Sequence, residues 1–294
     1  MKNISVLDKI NIYFLCLNVL VYIITFNKTP YKIPLLLSYL AFAALIYFVI
    51  KIRKVQSEYT NLILLVYPII FLFGIFETFF MILPYFNTQR FDEILIQIDF
   101  SMFGTHPTVW IERFISPMLT EIMYILYLFY FPMPIIVMVL LYRNNRLKEI
   151  EEGFFIFLSC YYLAYTIYFI VPASGPRFYL HEFQTIPLDG YFLSNPIREL
   201  INKLEPNKLD AFPSLHAGIV MSTMIVSYKF ARRMFNIFVP IVIGITISLV
   251  YCRYHYVIDI IGGFLVSIIS YQISSRIYKV IHKNTIFHFR LPLQ

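Results

Sequence analysis

The stretch FNIFVPIVIGITISLVYCRYHYVIDIIGGFLVSIISYQISSR, residues 235–276, decides the fold. Read as a single helix it would run about 60 Å at ~1.5 Å per residue, twice the ~30 Å hydrocarbon core of a bilayer. A break is needed near its middle, where Cys252-Arg253-Tyr254-His255 forms an ionisable cluster. Charged groups are costly at membrane depth and cheap at an interface. The chain therefore surfaces at this cluster, with one span at 235–252, another at 257–276, and Arg253 and His255 at a membrane face.

Outward from that stretch, further apolar runs fall near 10–26, 33–50, 62–83, 118–141, 153–171 and 212–230, making eight expected spans. The first follows Lys2 and Lys9 as a signal peptide would. However, Asn27-Lys28-Thr29-Pro30 offers no small-residue cleavage site, so it reads as a retained span. Composition agrees. Of 294 residues, 59% are hydrophobic and only 14% charged, against ~25% in an ordinary soluble domain. The mean hydropathy is +0.71. These values exclude a disordered chain, a secreted disulfide scaffold and an ordinary soluble enzyme, and nine glycines leave little room for a glycine-rich nucleotide site. The expected class is an all-α polytopic membrane protein.

The net charge of +7 does not indicate nucleic acid, because Lys and Arg fall between apolar runs rather than on one basic face. Fifteen of the 24 lie on the side of the N-terminus, 51–61, 142–152, 229–234 and the C-terminal tail. By the positive-inside rule that side is cytoplasmic, with both termini, in a multi-pass cell-membrane protein. The loops 84–117 and 172–211 and the turn at 253 are then extracytoplasmic. Cys16, Cys160 and Cys252 show no metal spacing and read as packing residues. In the loop 84–117, Phe91, Ile94, Leu95 and Ile98 at helical spacing suggest an amphipathic helix on the membrane surface, a brace without chemistry.

Three clusters fall on the extracytoplasmic side: Pro172-Ala173-Ser174-Gly175-Pro176-Arg177, Phe212-Pro213-Ser214-Leu215-His216-Ala217-Gly218, and Arg253-Tyr254-His255-Tyr256-Val257-Ile258-Asp259. His255 and Asp259, four apart, share a face if helical, and a carboxylate on one imidazole nitrogen frees the other as a nucleophile or base. The plainer alternative is an interfacial His with a capping Asp. Ser214 and His216 open a helix, whose free N–H groups suit a phosphate, although Ser214 also fits a simple N-cap. Arg177 and Arg253 add planar donor forks for phosphate oxygens, or anchor the interface. Together these residues form the set that phosphoryl transfer through a histidine requires. Glu77 and Glu121 lie in or beside spans and belong to no cluster.

The second and third clusters resemble the signature motifs of the type 2 phosphatidic acid phosphatase superfamily. FPSLHAG, HYVIDIIGG and the less specific FGTHPTVW (103–110) look most like its inositol phosphorylceramide synthase branch, which is inositolphosphotransferase-like. The resemblance covers roughly 90–275. It implies a six-helix core without metal or cofactor, with His255 as nucleophile, Asp259 as its orienter and His216 as the acid. Arg177 and Ser214 would hold the phosphate. Residues 1–60 would be two added spans, 61–280 the catalytic domain and 281–294 a cytoplasmic tail. Two positions depart from the phosphatase pattern: Ile170 replaces a Lys and Leu249 an Arg, with Arg253 a possible substitute one turn later. The implied activity is lipid phosphate hydrolysis or phosphotransfer through a phosphohistidine at the extracytoplasmic face. A transporter or flippase, or a family member that binds lipid phosphate without cleaving it, is the alternative.

Overall fold

The computed structural model describes residues 4–55, 57–204 and 209–282. The tail expected at 281–294 thus lies, from 283 onward, outside the described residues. The long helices are α1 (Val6–Thr25), α2 (Lys32–Ile52) and α3 (Glu58–Phe86), followed by the short α4 (Asp92–Phe103) and α5 (Pro107–Trp110). Then come α6 (Pro117–Leu128), α7 (Pro132–Arg143), α8 (Leu147–Ile170), α9 (Pro176–Tyr179), α10 (Ser194–Leu204), α11 (Leu215–Phe230), α12 (Arg232–Tyr251) and α13 (Val257–His282). No strand is present among the described residues; a lone bridge joins Ala173 to Asp210.

Among the described residues, six helices are long and apolar enough to cross a membrane: α1, α2, α3, α8, α12 and α13. The pair α6 and α7 makes a seventh if counted as one span bent by 45°. Pro132 and Pro134 explain the bend, since each removes a backbone donor and crowds the preceding turn. The expected span at 212–230 is the helix α11 of 16 residues, about 24 Å long, short of the ~20 residues that a full crossing takes. All eight expected runs are helical, but eight full-length spans are not what the structure displays.

α11, α8 and α13 form the centre, with α12 and the bent pair outside it. Gly263 allows the closest approach, because a Cβ there would come within 2.2 Å of the Ser214 carbonyl oxygen. The N-terminal helices join through buried polar groups. Ser5 caps α1, and Asp8 ties α1 to Arg53 of the segment after α2 at 2.9 Å and to Tyr67 of α3 at 2.7 Å. Asn11 donates to Tyr67 and accepts from Tyr162 of α8 at 2.6 Å.

The loop between α3 and α6 is more than a brace. α4 turns two of its three acids inward: Asp92, Leu95 and Asp99 are buried while Glu93, Ile94, Phe100 and Phe103 are exposed. In a bilayer the apolar face of a surface helix points outward, which sends the polar face to the protein. Asp92 accepts the Ser174 N–H at 3.0 Å, the Gly175 N–H at 2.8 Å and the Tyr256 hydroxyl at 3.2 Å. Asp99 accepts the Val257 and Ile258 N–H groups at 2.8 and 2.9 Å, filling orphan donors at the start of α13. Burial raises both carboxyl groups above the ordinary aspartate range, and these backbone donors pull them back.

Candidate active site

α12 ends at Tyr251, and the chain crosses to α13 through Cys252–Tyr256. Arg253 takes a left-handed φ of 62° there. The Tyr254 and His255 N–H groups turn back to the Leu249 carbonyl, which fixes the linker against α12. Gly175, with φ 94°, brings the first cluster against this linker, where a Cβ would lie 2.6 Å from the Tyr254 carbonyl oxygen. Ala211 N donates to the Ala173 carbonyl at 2.9 Å, and Ser214 N to the Asp259 carbonyl at 2.9 Å. Three segments distant in sequence are thereby stitched into one layer.

In that layer the two histidines meet. His255 Nε2 lies 3.2 Å from His216 Nδ1, and His216 Nε2 lies 2.8 Å from the Tyr127 hydroxyl. His255 Nδ1 lies 3.0 Å from the Ala211 carbonyl oxygen, an acceptor only, so Nδ1 carries the proton and Nε2 the lone pair. It follows that His216 donates from Nδ1 and accepts the Tyr127 proton at Nε2; the tautomers are assigned by this chain of partners. Burial lowers the His255 pKa to about 3, outweighing the Ala211 hydrogen bond, so the imidazole is neutral near pH 7.

Asp259 stands behind His255, with Oδ2 3.5 Å from Nδ1 and 2.8 Å from the Tyr256 N–H. His255 precedes α13 and so does not share a helical face with Asp259, as the four-residue spacing suggests. Their approach arises from the cap at the start of α13, and the carbonyl of Ala211 takes the imidazole proton. Ser214 is fully buried, and its hydroxyl caps α11 by accepting the Ala217 N–H.

A cavity of about 470 Å³ opens on this layer, within the ~300–1,000 Å³ of small-molecule sites. His255, His216, Arg177 and Ser174 line it together with Asp210, Tyr127, Tyr130 and Glu77. The Arg177 guanidinium lies over the Tyr254 ring at 4.5 Å. Burial raises the Asp210 carboxyl, and the Arg177 charge opposes that shift.

Arg253 is not among the cavity-lining residues. Its guanidinium pairs with Glu112 at 2.6 Å and reaches the Ile186 carbonyl. A substitution for the motif arginine at Leu249 requires the helix to continue through residue 253, and α12 ends two residues earlier. Burial lowers the Arg253 pKa, and Glu112 opposes this. Glu121 also serves the scaffold, accepting the Phe192, Leu193 and Ser194 N–H groups before α10. Tyr127, Asp92, Asp99 and Glu112 are the participants that sequence reading did not assign.

Fold and site together define a helical integral membrane protein whose paired histidines face a cavity at one end of the bundle. Residues 94–273 match the PAP2 superfamily, and the chain belongs to it. A PA-phosphatase related-family protein of Dictyostelium discoideum is 25% identical over 177 residues, which cover 53% of this chain and 32% of that protein. The chain thus spans about a third of the length of this curated relative. No solved structure matches it.

Proposed function

We propose that this protein transfers a lipid-borne phosphoryl group through a covalent intermediate on His255. The observation that carries this reading is the relay from the Ala211 carbonyl through His255 and His216 to Tyr127, with the His255 Nε2 lone pair at the cavity. Substrate displaces the contact between the imidazoles. Nε2 forms a bond to phosphorus, the bond from phosphorus to the leaving oxygen breaks, and His216 Nδ1–H supplies that oxygen's proton. In the second half, His216 takes the proton of an incoming hydroxyl, whose oxygen attacks phosphorus and releases His255. Arg177 faces the phosphoryl oxygens, with Asp259 supporting His255 from behind. Ser214 acts through the α11 N-terminus.

Water as acceptor gives a phosphatase, and an alcohol gives a phosphotransferase. The charge of the cavity bears on the donor and favours a phosphodiester, in keeping with the inositol phosphorylceramide synthase-like motifs. Asp210 and Glu77 share it with Arg177, while Glu112 engages Arg253. A phosphodiester, carrying one charge, suits such a lining better than a dianionic monoester. The distribution of Lys and Arg supports an extracytoplasmic site with cytoplasmic termini. In a background lacking the three native cysteines, Glu182→Cys should then react with an impermeant thiol reagent in intact cells and Asn144→Cys should not.

The test of the two histidines compares leaving groups. His255→Ala should abolish turnover of both a lipid phosphate and nitrophenyl phosphate. In kcat/KM, which reports the steps up to loss of the leaving group and not the later attack of the acceptor, His216→Ala should lose far more on the lipid, because a nitrophenolate needs little protonation. Equal losses on the two substrates would remove His216 from the acid role.

A further inference from the structure

Glu77 is a carboxylate inside a membrane span, where ionisable side chains are costly and are retained for function. It lies on α3 and lines the cavity of the two histidines. It is exposed there, with no hydrogen bond or ion pair to any described residue. The mechanism above gives it no task.

Its place along α3 indicates what it meets. A second cavity, about 260 Å³ and almost wholly apolar, runs between α3, α7 and α8. On α3 it is lined by Leu65, Ile69, Leu72 and Phe73, of which Leu72 and Phe73 also line the histidine cavity. Glu77 is one turn beyond Phe73, about 6 Å along the axis at ~1.5 Å per residue. Across from α3, Tyr130 and Phe131 at the break between α6 and α7 line both spaces, and the Tyr130 ring lies 4.2 Å from that of His216. An apolar slot thus leads along α3 into the reaction chamber, and Glu77 stands just inside the junction.

A hydrocarbon chain suits the slot, because that wall offers it no polar partner to lose. A lipid seated this way places at Glu77 the atoms that link its chain to its phosphate. The oxygens of a carboxyl group accept hydrogen bonds. They stabilise a hydroxyl, amide N–H or ammonium there, and repel the oxygens of a backbone that is esterified throughout. We infer that Glu77 selects lipids bearing a hydrogen-bond donor next to the phosphate on the chain side, with one hydrocarbon chain of that lipid in the slot along α3. The inference rests on the lipid-phosphate reading of the cavity.

The test measures binding, so it does not depend on which acceptor the enzyme uses. Full-length protein carrying His255→Ala, purified in nanodiscs, is titrated with a single-chain lysophosphatidate and with its 2-deoxy analogue, which lacks only the free hydroxyl. The expected result is about tenfold or more tighter binding of the hydroxylated ligand, the size of a hydrogen bond to a charged group. Adding Glu77→Leu should abolish that preference by weakening lysophosphatidate alone, and Glu77→Gln should restore part of it. Because both ligands are compared within each variant, altered folding cannot imitate the result. Equal affinities before the Glu77 change, a preference that survives it, or binding of neither ligand overturns the inference. Ile69→Trp, which fills the slot, should weaken both long-chain ligands and spare glycerol phosphate; unchanged long-chain affinity would put the chain elsewhere. Product formation by His255→Ala would instead refute the catalytic reading and leave the selectivity of Glu77 standing.

Discussion

Tyr127→Phe removes one oxygen and isolates one link in the relay. The Tyr127 hydroxyl lies 2.8 Å from His216 Nε2, and its ring is 1% exposed, so Phe keeps the packing. The hydroxyl holds His216 in the tautomer that carries its proton on Nδ1, toward His255. Without it the two neutral tautomers compete, and a fraction of molecules points a lone pair where the leaving oxygen needs a proton. An ordinary hydrogen bond contributes about 0.5–1.5 kcal/mol. At ~1.36 kcal/mol per tenfold in rate, the loss should be about two- to twelvefold. It should appear in kcat/KM for a lipid phosphate and shrink toward unity for nitrophenyl phosphate, whose leaving group needs little protonation. The assay is steady-state turnover of both substrates by wild type and variant in the same nanodisc preparation. An equal loss on both, or a thousandfold loss, would refute the positioning role, the second by making Tyr127 a direct participant.

The capping carboxylate gives a stability prediction: Asp99→Ala strands the Val257 and Ile258 N–H groups and should cost about 1–3 kcal/mol in thermal or denaturant unfolding, and unchanged stability would deny α4 its part in seating α13. Arg253→Ala leaves the Glu112 carboxylate, 8% exposed, without its partner and should destabilise by about 3–5 kcal/mol. Much of that should return in the double variant with Glu112→Gln, whereas a raised KM at unchanged stability would place Arg253 on the substrate. The lowered pKa of His255 predicts a pH dependence. The folded state keeps the imidazole neutral while the unfolded chain protonates near pH 6.5, so this residue's contribution to stability falls as pH drops from about 6.5 toward 3. The nucleophile itself stays available over that window. With a phosphodiester substrate, whose charge is constant there, the wild-type kcat/KM should show no acid limb near pH 6.5, and such a limb would contradict the neutral imidazole.

Much of the helical scaffold was legible because bilayer length and apolar runs leave few solutions. Length demands a break within 235–276 and the ionisable Cys252–His255 cluster places it, and the three polar clusters stand out because charge is rare in such a chain. The fate of individual side chains was less legible. The apolar spacing of α4 marks a helix on the membrane surface, but the partners of Asp92 and Asp99 on its other face lie at 174–175 and 256–258, segments that only the fold brings to it. Arg253 was aligned by helical periodicity, which ends with α12 at Tyr251. Tyr127 carried no signal, since one tyrosine among 24 in an apolar run looks like packing until the fold sets it against His216. Glu77 and Glu121 looked alike in sequence, but one accepts the backbone donors before α10 while the other faces the cavity.

Covalent trapping at His255 tests the central claim most directly. Wild type and the His216→Ala and His255→Ala variants would be mixed with nitrophenyl phosphate, quenched in alkali, where a phosphorus–nitrogen bond to imidazole survives, and digested for mass spectrometry. The account predicts a phosphoryl adduct on the His255 peptide in wild type. In His216→Ala it should accumulate, because the incoming hydroxyl lacks its base, and in His255→Ala it should be absent together with turnover. An adduct on another residue, or turnover that persists in His255→Ala, would contradict it.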